Sequence, residues 1–174
     1  GFAPRRGVRG YFGSFSYKPR PAGVDLVRQL FFTYSNSHFT DFENQLETAE
    51  HSFYPLYVEL ESADELFFEI EANFDRPEED FEISPDVVIP AAGYWWPEYR
   101  VGLETASKRF WEIEASYTFG GFYDGERQRY GVEGYLKPIK YLSFGFGYWL
   151  NRIGLPGGDF DAHLASFRTQ ISFT

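Results

Sequence analysis

Carboxylates in i, i+2 pairs are the residues here whose type and spacing suit chemistry: Glu69 with Glu71, and Glu112 with Glu114. On one face of a strand such residues stand about 6.5 to 7 Å apart at the backbone, which overlaps the separation of the two carboxyl groups in glycosidases. The pattern recurs on several segments, so it reads as a lining rather than a single site. A hydrolytic site at a rim would draw on His38, His51 and His163, and His51 and Glu50 adjoin a loop with Asp41 and Glu43. No nucleophile completes them. The acidic stretches RPEEDFEISPD (76–86) and GGDFD (157–161) supply oxygens of the kind calcium takes, but neither has the spacing of a known calcium loop. Arg5, Arg6, Arg9 and Arg152 suit bidentate contact with phosphate, as lipopolysaccharide would offer, and serve equally as surface charge.

Positioning these groups falls to strands. The chain has 174 residues, 21% of them aromatic, with 17 Gly, no Cys and a formal net charge of -10. Its mean hydropathy of -0.40 excludes a helical membrane protein, and no apolar run reaches the roughly 18 to 20 residues of a spanning helix. Without cysteine there is no disulfide, thiol or cysteine-metal chemistry. The acidic balance argues against a nucleic-acid partner, which calls for clustered Lys and Arg. The opening GFAPRRGVRG has basic residues but no apolar core of a signal peptide, and the chain holds no Met. It is expected to be mature, or a piece of a longer protein.

Period-2 alternation predicts nine strands, near 8–18, 26–39, 46–61, 66–75, 96–106, 109–119, 128–137, 141–151 and 162–173. One parity carries Tyr54, Leu56, Val58 and Leu60, then Phe68 and Ile70, then Trp111 and Ile113, then Phe144, Phe146 and Tyr148. The other carries Glu59, Glu61, Glu69, Glu71, Glu98, Glu104, Glu112, Glu114 and Glu133, with Arg100, Arg129 and Arg168 as counter-charges. A soluble antiparallel sheet with one wet face shows the same alternation. Two features favour an antiparallel transmembrane β-barrel: several strands reach the nine to eleven residues that cross a bilayer, and no helix is available to cover the aromatic face. The apolar set, Leu56, Val58, Phe68, Ile70, Trp111, Ile113, Phe144, Phe146 and Tyr148, is then expected to meet lipid. The charged set lines the interior and favours cations in an open pore.

Tight turns are predicted at 20–23, 62–65, 106–109 and 137–140, with longer connections around 40–45, 75–95, 120–127 and 151–161. Bacterial barrels keep short turns on the periplasmic side, so the first strand is expected to run inward from the outer surface. The odd strand count points to further strands from the same or an adjacent chain.

The stretches GFAPRRGVRGYFGSFSYKPRP (1–21), FEISPDVVIPAAGYWWPEYR (81–100), SYTFGGFYDGER (116–127) and LPGGDFDAHLASFR (155–168) together resemble a bacterial family of unknown function. Its members place a periplasmic domain similar to family 9 carbohydrate-binding modules before a carboxy-terminal outer-membrane barrel. Phe2, Arg6, Arg9, Tyr11, Ser14, Tyr17, Pro19, Arg20 and Pro21, with Leu155, Pro156, Gly158, Asp159 and Phe160, carry the likeness. It implies that residues 1–174 are part of the barrel, since the sugar-module-like domain is absent and family members continue past Thr174. It brings no catalytic residue. The expectation is a non-enzymatic channel wall or membrane anchor in the bacterial outer membrane, with lipid as its partner and no cofactor or metal. An outer-membrane hydrolase with a site at the rim is the alternative.

Overall fold

Alternating aromatic and polar residues, broken by Gly, Asn and Asp at the turns, give strands throughout the computed structural model, which describes residues 7–172. These are β1 (Arg9–Tyr17), β2 (Val27–Leu30), β3 (Phe32–Thr40), β4 (Leu46–Leu60), β5 (Glu65–Asp75), β6 (Phe81–Ser84), β7 (Val87–Ile89), β8 (Tyr94–Glu104), β9 (Trp111–Phe122), β10 (Gly125–Ile139), β11 (Leu142–Leu155) and β12 (Gly158–Ile171). Ten of them form one antiparallel sheet, ordered β1-β3-β4-β5-β8-β9-β10-β11-β12, with β2 also on β4. The sheet is open among the described residues, with β1 and β12 as its edges. β6 and β7 form a separate hairpin.

Burial separates the two faces in the reverse of the usual order. On the polar face Thr118 is 2% exposed, and Glu69 and Glu98 are 3% exposed. On the apolar face Leu56 is 49% exposed, Phe146 47% and Tyr148 43%. Many large apolar side chains of the sheet therefore point outward, while Glu69 and Glu98 are enclosed.

Three expectations need correction. Tyr54 does not share a face with Leu56. β4 and β5 shift register between Phe53↔Ile70 and Leu56↔Phe68, so two residues, Tyr54 and Pro55, occupy a β-bulge. Pro55 has no N–H to give to the ladder, and the extra residue reverses the parity behind it. Phe53 is turned outward, 42% exposed, and Tyr54 inward, its ring 5.8 Å from that of Tyr57 and 6.3 Å from that of Phe67.

Second, the connections around 120–127 and 151–161 are not long. The strands themselves run on, leaving two-residue turns at 123–124 and 156–157. Tyr123 takes the left-handed backbone, φ 53°, that the first of these turns requires. Only 76–93 remains a long connection at that end of the sheet, so the strict alternation of long and short links is absent.

Third, 75–95 is not plain loop. Its Ser-Pro-Asp segment, with Asp86 at φ 65°, reverses the chain between β6 and β7. Val87 (5% exposed) and Ile89 (1%) then pack against Tyr123, Ile153 and Leu155, forming the one buried hydrophobic cluster of the described residues.

Candidate functional site: the polar wall and its capped mouth

Antiparallel partners share a face, so the register fixes which inward side chains form rows around the wall. Glu59 faces Glu65, Glu65 faces Glu104, Glu104 faces Glu114 and Glu114 faces Glu133. Five carboxylates thus stand in one row across five neighbouring strands, about 4.8 Å apart strand to strand. Like charges so placed repel, and three of them are offset locally. Arg28 Nη1 lies 2.6 Å from Glu59 Oε1, Tyr57 donates its hydroxyl to Glu65, and Arg100 Nη2 lies 3.2 Å from Glu114 Oε1. Glu104 and Glu133 have no cationic partner within ion-pair distance among the described residues.

Two rows nearer the mouth, past Phe67, Gly102, Ser116 and Gly131, stand Glu69, Arg100, Thr118, Arg129 and Asn151. Ser52 Oγ donates to Glu69 Oε1 at 2.5 Å, and Arg100 Nη1 lies 3.7 Å from the other oxygen. Arg100 therefore bridges the two rows. Its guanidinium also lies 4.9 Å from the centre of the Phe67 ring.

One row further, Glu71, Glu98, Gly120 and Arg127 stand side by side. Gly120 has no side chain to intervene, and a Cβ there would come within 2.4 Å of the Pro97 carbonyl oxygen. Arg127 crosses over it and forks onto Glu98, Nε to Oε1 at 2.9 Å and Nη2 to Oε2 at 2.6 Å. This two-point geometry is what makes a buried guanidinium and carboxylate tolerable together. Sequence reasoning missed Arg127 because its strand was started at residue 128. The parity it shares with Arg129 was the available signal.

The proposed lining residues on the strands, Glu59, Glu69, Glu71, Glu98, Arg100, Glu104, Glu112, Glu114, Arg129, Glu133 and Arg168, share this face by register. Glu112 lies 3.7 Å from Lys137 Nζ near the turn end. Arg168 stands opposite Gly145 on the exposed edge strand β12. Glu61 does not join them: it sits past the end of β4 in an exposed turn, 3.6 Å from Arg28 Nε. Leu56, Val58, Phe68, Ile70, Trp111, Ile113, Phe144, Phe146 and Tyr148 all lie on the opposite face.

At the end of the sheet carrying the long connection, the β6–β7 hairpin closes over the polar wall. It rests on Trp96, Phe122, Ile153 and Phe160, of which Ile153 and Phe160 pair directly across β11 and β12. Beside Trp96 and Tyr123, which pack against the hairpin, lies a pocket of about 530 Å³, bordered also by Glu47, Glu50, Asn73, Asp75, Glu98 and Arg127 among others.

The histidines belong elsewhere. His38 and His51 sit on the apolar face with Nε2 atoms 3.0 Å apart, and His51 Nδ1 is 2.8 Å from the Tyr34 hydroxyl. Both ring nitrogens of His51 are thus engaged. Glu50 turns to the other face, and Asp41 accepts the Glu43 and Gln45 amides within its own turn. His163 pairs with the Tyr148 hydroxyl at 2.8 Å. In the acidic stretches Asp80 accepts the Ala91 amide and Glu82 the Asp86 amide. Among the described residues no three acidic or imidazole groups converge as a metal would require. Arg9 donates to Asn44 at 2.7 Å and Arg152 lies 3.8 Å from Asp161. Phe2, Arg5, Arg6 and Thr174 lie outside the described residues.

No family model, curated protein or solved structure matches this chain.

Proposed function

We propose that this chain is the wall of a bacterial outer-membrane β-barrel, with its apolar face against lipid and its acidic face around a hydrated interior that favours cations. The observation that carries the reading is the inverted burial: Glu98 and Thr118 enclosed at 3% and 2%, Phe146 and Leu56 exposed at 47% and 49%. In water, a sheet that exposes this much contiguous hydrocarbon needs a partner, and lipid is the one that covers a whole face. The five-glutamate row supplies the field that attracts cations. The wall acts without catalysis, as a conduit or as the anchor of a periplasmic domain, which the resemblance to the barrel family also suggests. In hydrocarbon the open edges of β1 and β12 would leave backbone donors and acceptors unpaired at several kcal/mol per group, so each edge pairs with a further strand.

Ser116 and Tyr117 are neighbours on central strand β9 and lie on opposite faces. Ser116→Cys and Tyr117→Cys, labelled with an environment-sensitive fluorophore in lipid vesicles, test the reading. Quenching by brominated acyl chains is expected at 117 alone. Equal quenching at the two positions, or a preference for 116, would overturn it. Conductance of the reconstituted protein with a cation preference that falls in Glu104→Gln supports the conduit over the anchor.

A further inference from the structure

We infer that the rim formed by the turns at 18–26, 61–64, 105–110 and 140–141 is seated among the headgroups of anionic phospholipid, held by Lys18, Arg20, Lys108 and Lys140. The inference rests on the membrane reading above and names the lipid that this rim would choose. The two ends of the sheet differ in charge. The connections at the hairpin end, 41–45, 76–93, 123–124 and 156–157, hold eight carboxylates and a single cation, Arg76. All four lysines of the chain lie at the other end, Lys137 near the end of β10 and the rest in the turns. Arg28, Arg109 and Lys137 are matched there by Glu59, Asp64 and Glu112. Lys18, Arg20, Lys108 and Lys140 are exposed and have no carboxylate within ion-pair distance among the described residues. Of the carboxylates in these turns only Asp25 is likewise unpaired among the described residues, since Glu61 lies beside Arg28.

Charge alone would suit water. The same turns also expose hydrocarbon: Val24 and Leu26 in the first, Phe110 in the third and Tyr141 in the last. Water gives such tips nothing to pack on. At headgroup level an apolar tip dips toward the acyl chains while a neighbouring Lys or Arg reaches the phosphates. Lys140 and Tyr141 show the pairing, with Nζ 4.4 Å from the centre of the ring. Phosphatidylcholine carries a phosphate too, but its choline cancels the charge. A headgroup with a net negative charge is the one that four unpaired cations favour, and the acidic connections of the opposite end offer it nothing.

Spin-labelled lipids test this on the chain refolded into phosphatidylcholine vesicles. The share of spin-labelled phosphatidylcholine slowed at the protein surface reports lipid contact as such, and its ratio to that of spin-labelled phosphatidylglycerol reports the choice of headgroup. Phosphatidylglycerol is expected to be favoured by about twofold or more over the perimeter as a whole, and the preference should fall as salt is raised. Lys18→Gln, Arg20→Gln, Lys108→Gln and Lys140→Gln together should abolish it, while Arg152→Gln at the opposite end should not. The four side chains are exposed and unpaired among the described residues, so the combined variant keeps its fold, which an unchanged share of slowed phosphatidylcholine verifies. Slowed lipid of both kinds without preference, or a preference that persists in the combined variant, would overturn the inference and leave the membrane reading standing. Absence of any slowed phosphatidylcholine would overturn both.

Discussion

The middle of the polar wall and the capped mouth lie on the same side of the same strands, a few residues apart, yet they bury opposite chemistry. In the middle, Glu69, Glu98 and Thr118 are enclosed and held by Arg100, Arg127 and Ser52. At the mouth, Val87, Ile89, Ile153 and Leu155 bury hydrocarbon with the ring of Tyr123, whose hydroxyl donates to Asp75. The difference teaches that the inward face is no uniform lining. Its buried hydrocarbon core forms where a second element, the β6–β7 hairpin, packs on it, and a second aromatic group, Tyr54, Tyr57 and Phe67, stands without such a cover. Between the two, charge takes over, and pairing does the work that packing does under the hairpin.

The largest expected effect lies in the middle. Glu98→Ala leaves the Arg127 guanidinium, 18% exposed, without its forked acceptor. Breaking a buried pair from one side costs about 3–5 kcal/mol, measured as a shift in urea unfolding of the folded protein. Replacing both members by apolar residues of similar size should recover most of that loss, which a purely packed core would not do.

At the mouth, Ile89→Ala removes the most deeply buried side chain of the hairpin, 1% exposed, at a cost of about 2–5 kcal/mol. The loss should fall on the cap alone. Limited proteolysis within 76–93 should speed up while the unfolding of the sheet stays in place. If both shift together, the cap and wall are one cooperative unit and the comparison fails.

Across the sheet, Ile113→Arg on the apolar face should destabilise the protein in lipid vesicles by about 2–4 kcal/mol near the bilayer midplane. Glu114→Gln, its neighbour on the polar face, should change little. Equal effects at the two positions would contradict the assignment of faces.

The smallest effect is set in the turn after β4. The Arg109 guanidinium, then the Ser62 hydroxyl and the Ala106 amide, hold the Asp64 carboxyl well below the usual carboxylate range. A depressed folded value stabilises the protein above the ordinary aspartate value of about 4, and the contribution fades as pH falls through the folded value. Asp64→Asn should therefore be less stable than the parent at neutral pH, and the gap should narrow as unfolding is followed into acid.

Much of this was legible from side-chain alternation. Glu69, Glu71, Glu112 and Glu114 fall on the enclosed face because β5 and β9 keep an unbroken period of two. Tyr54 was misread because a single Pro-containing bulge exchanges the two faces, and parity counting cannot see a residue that leaves the ladder. The hairpin at 81–89 was passed over because four- and three-residue strands are too short to show a period. The row of five glutamates was invisible for a different reason: it depends on the register between strands, which the residues of one strand do not state.

The order of the sheet has a consequence for how such a wall is assembled. From β4 onward every strand of the main sheet lies beside the one that precedes it in that sheet, and only the hairpin interrupts the succession along the chain. Each strand after β4 needs only the edge just laid down and a connection that is mostly short, so closing the next loop costs little entropy. The chain can therefore grow by accretion, one hairpin at a time, with the newest strand always the template for the next. A sheet built this way tolerates the gain or loss of a terminal hairpin without disturbing the pairing already made, and its width is free to change while its pattern of faces is preserved.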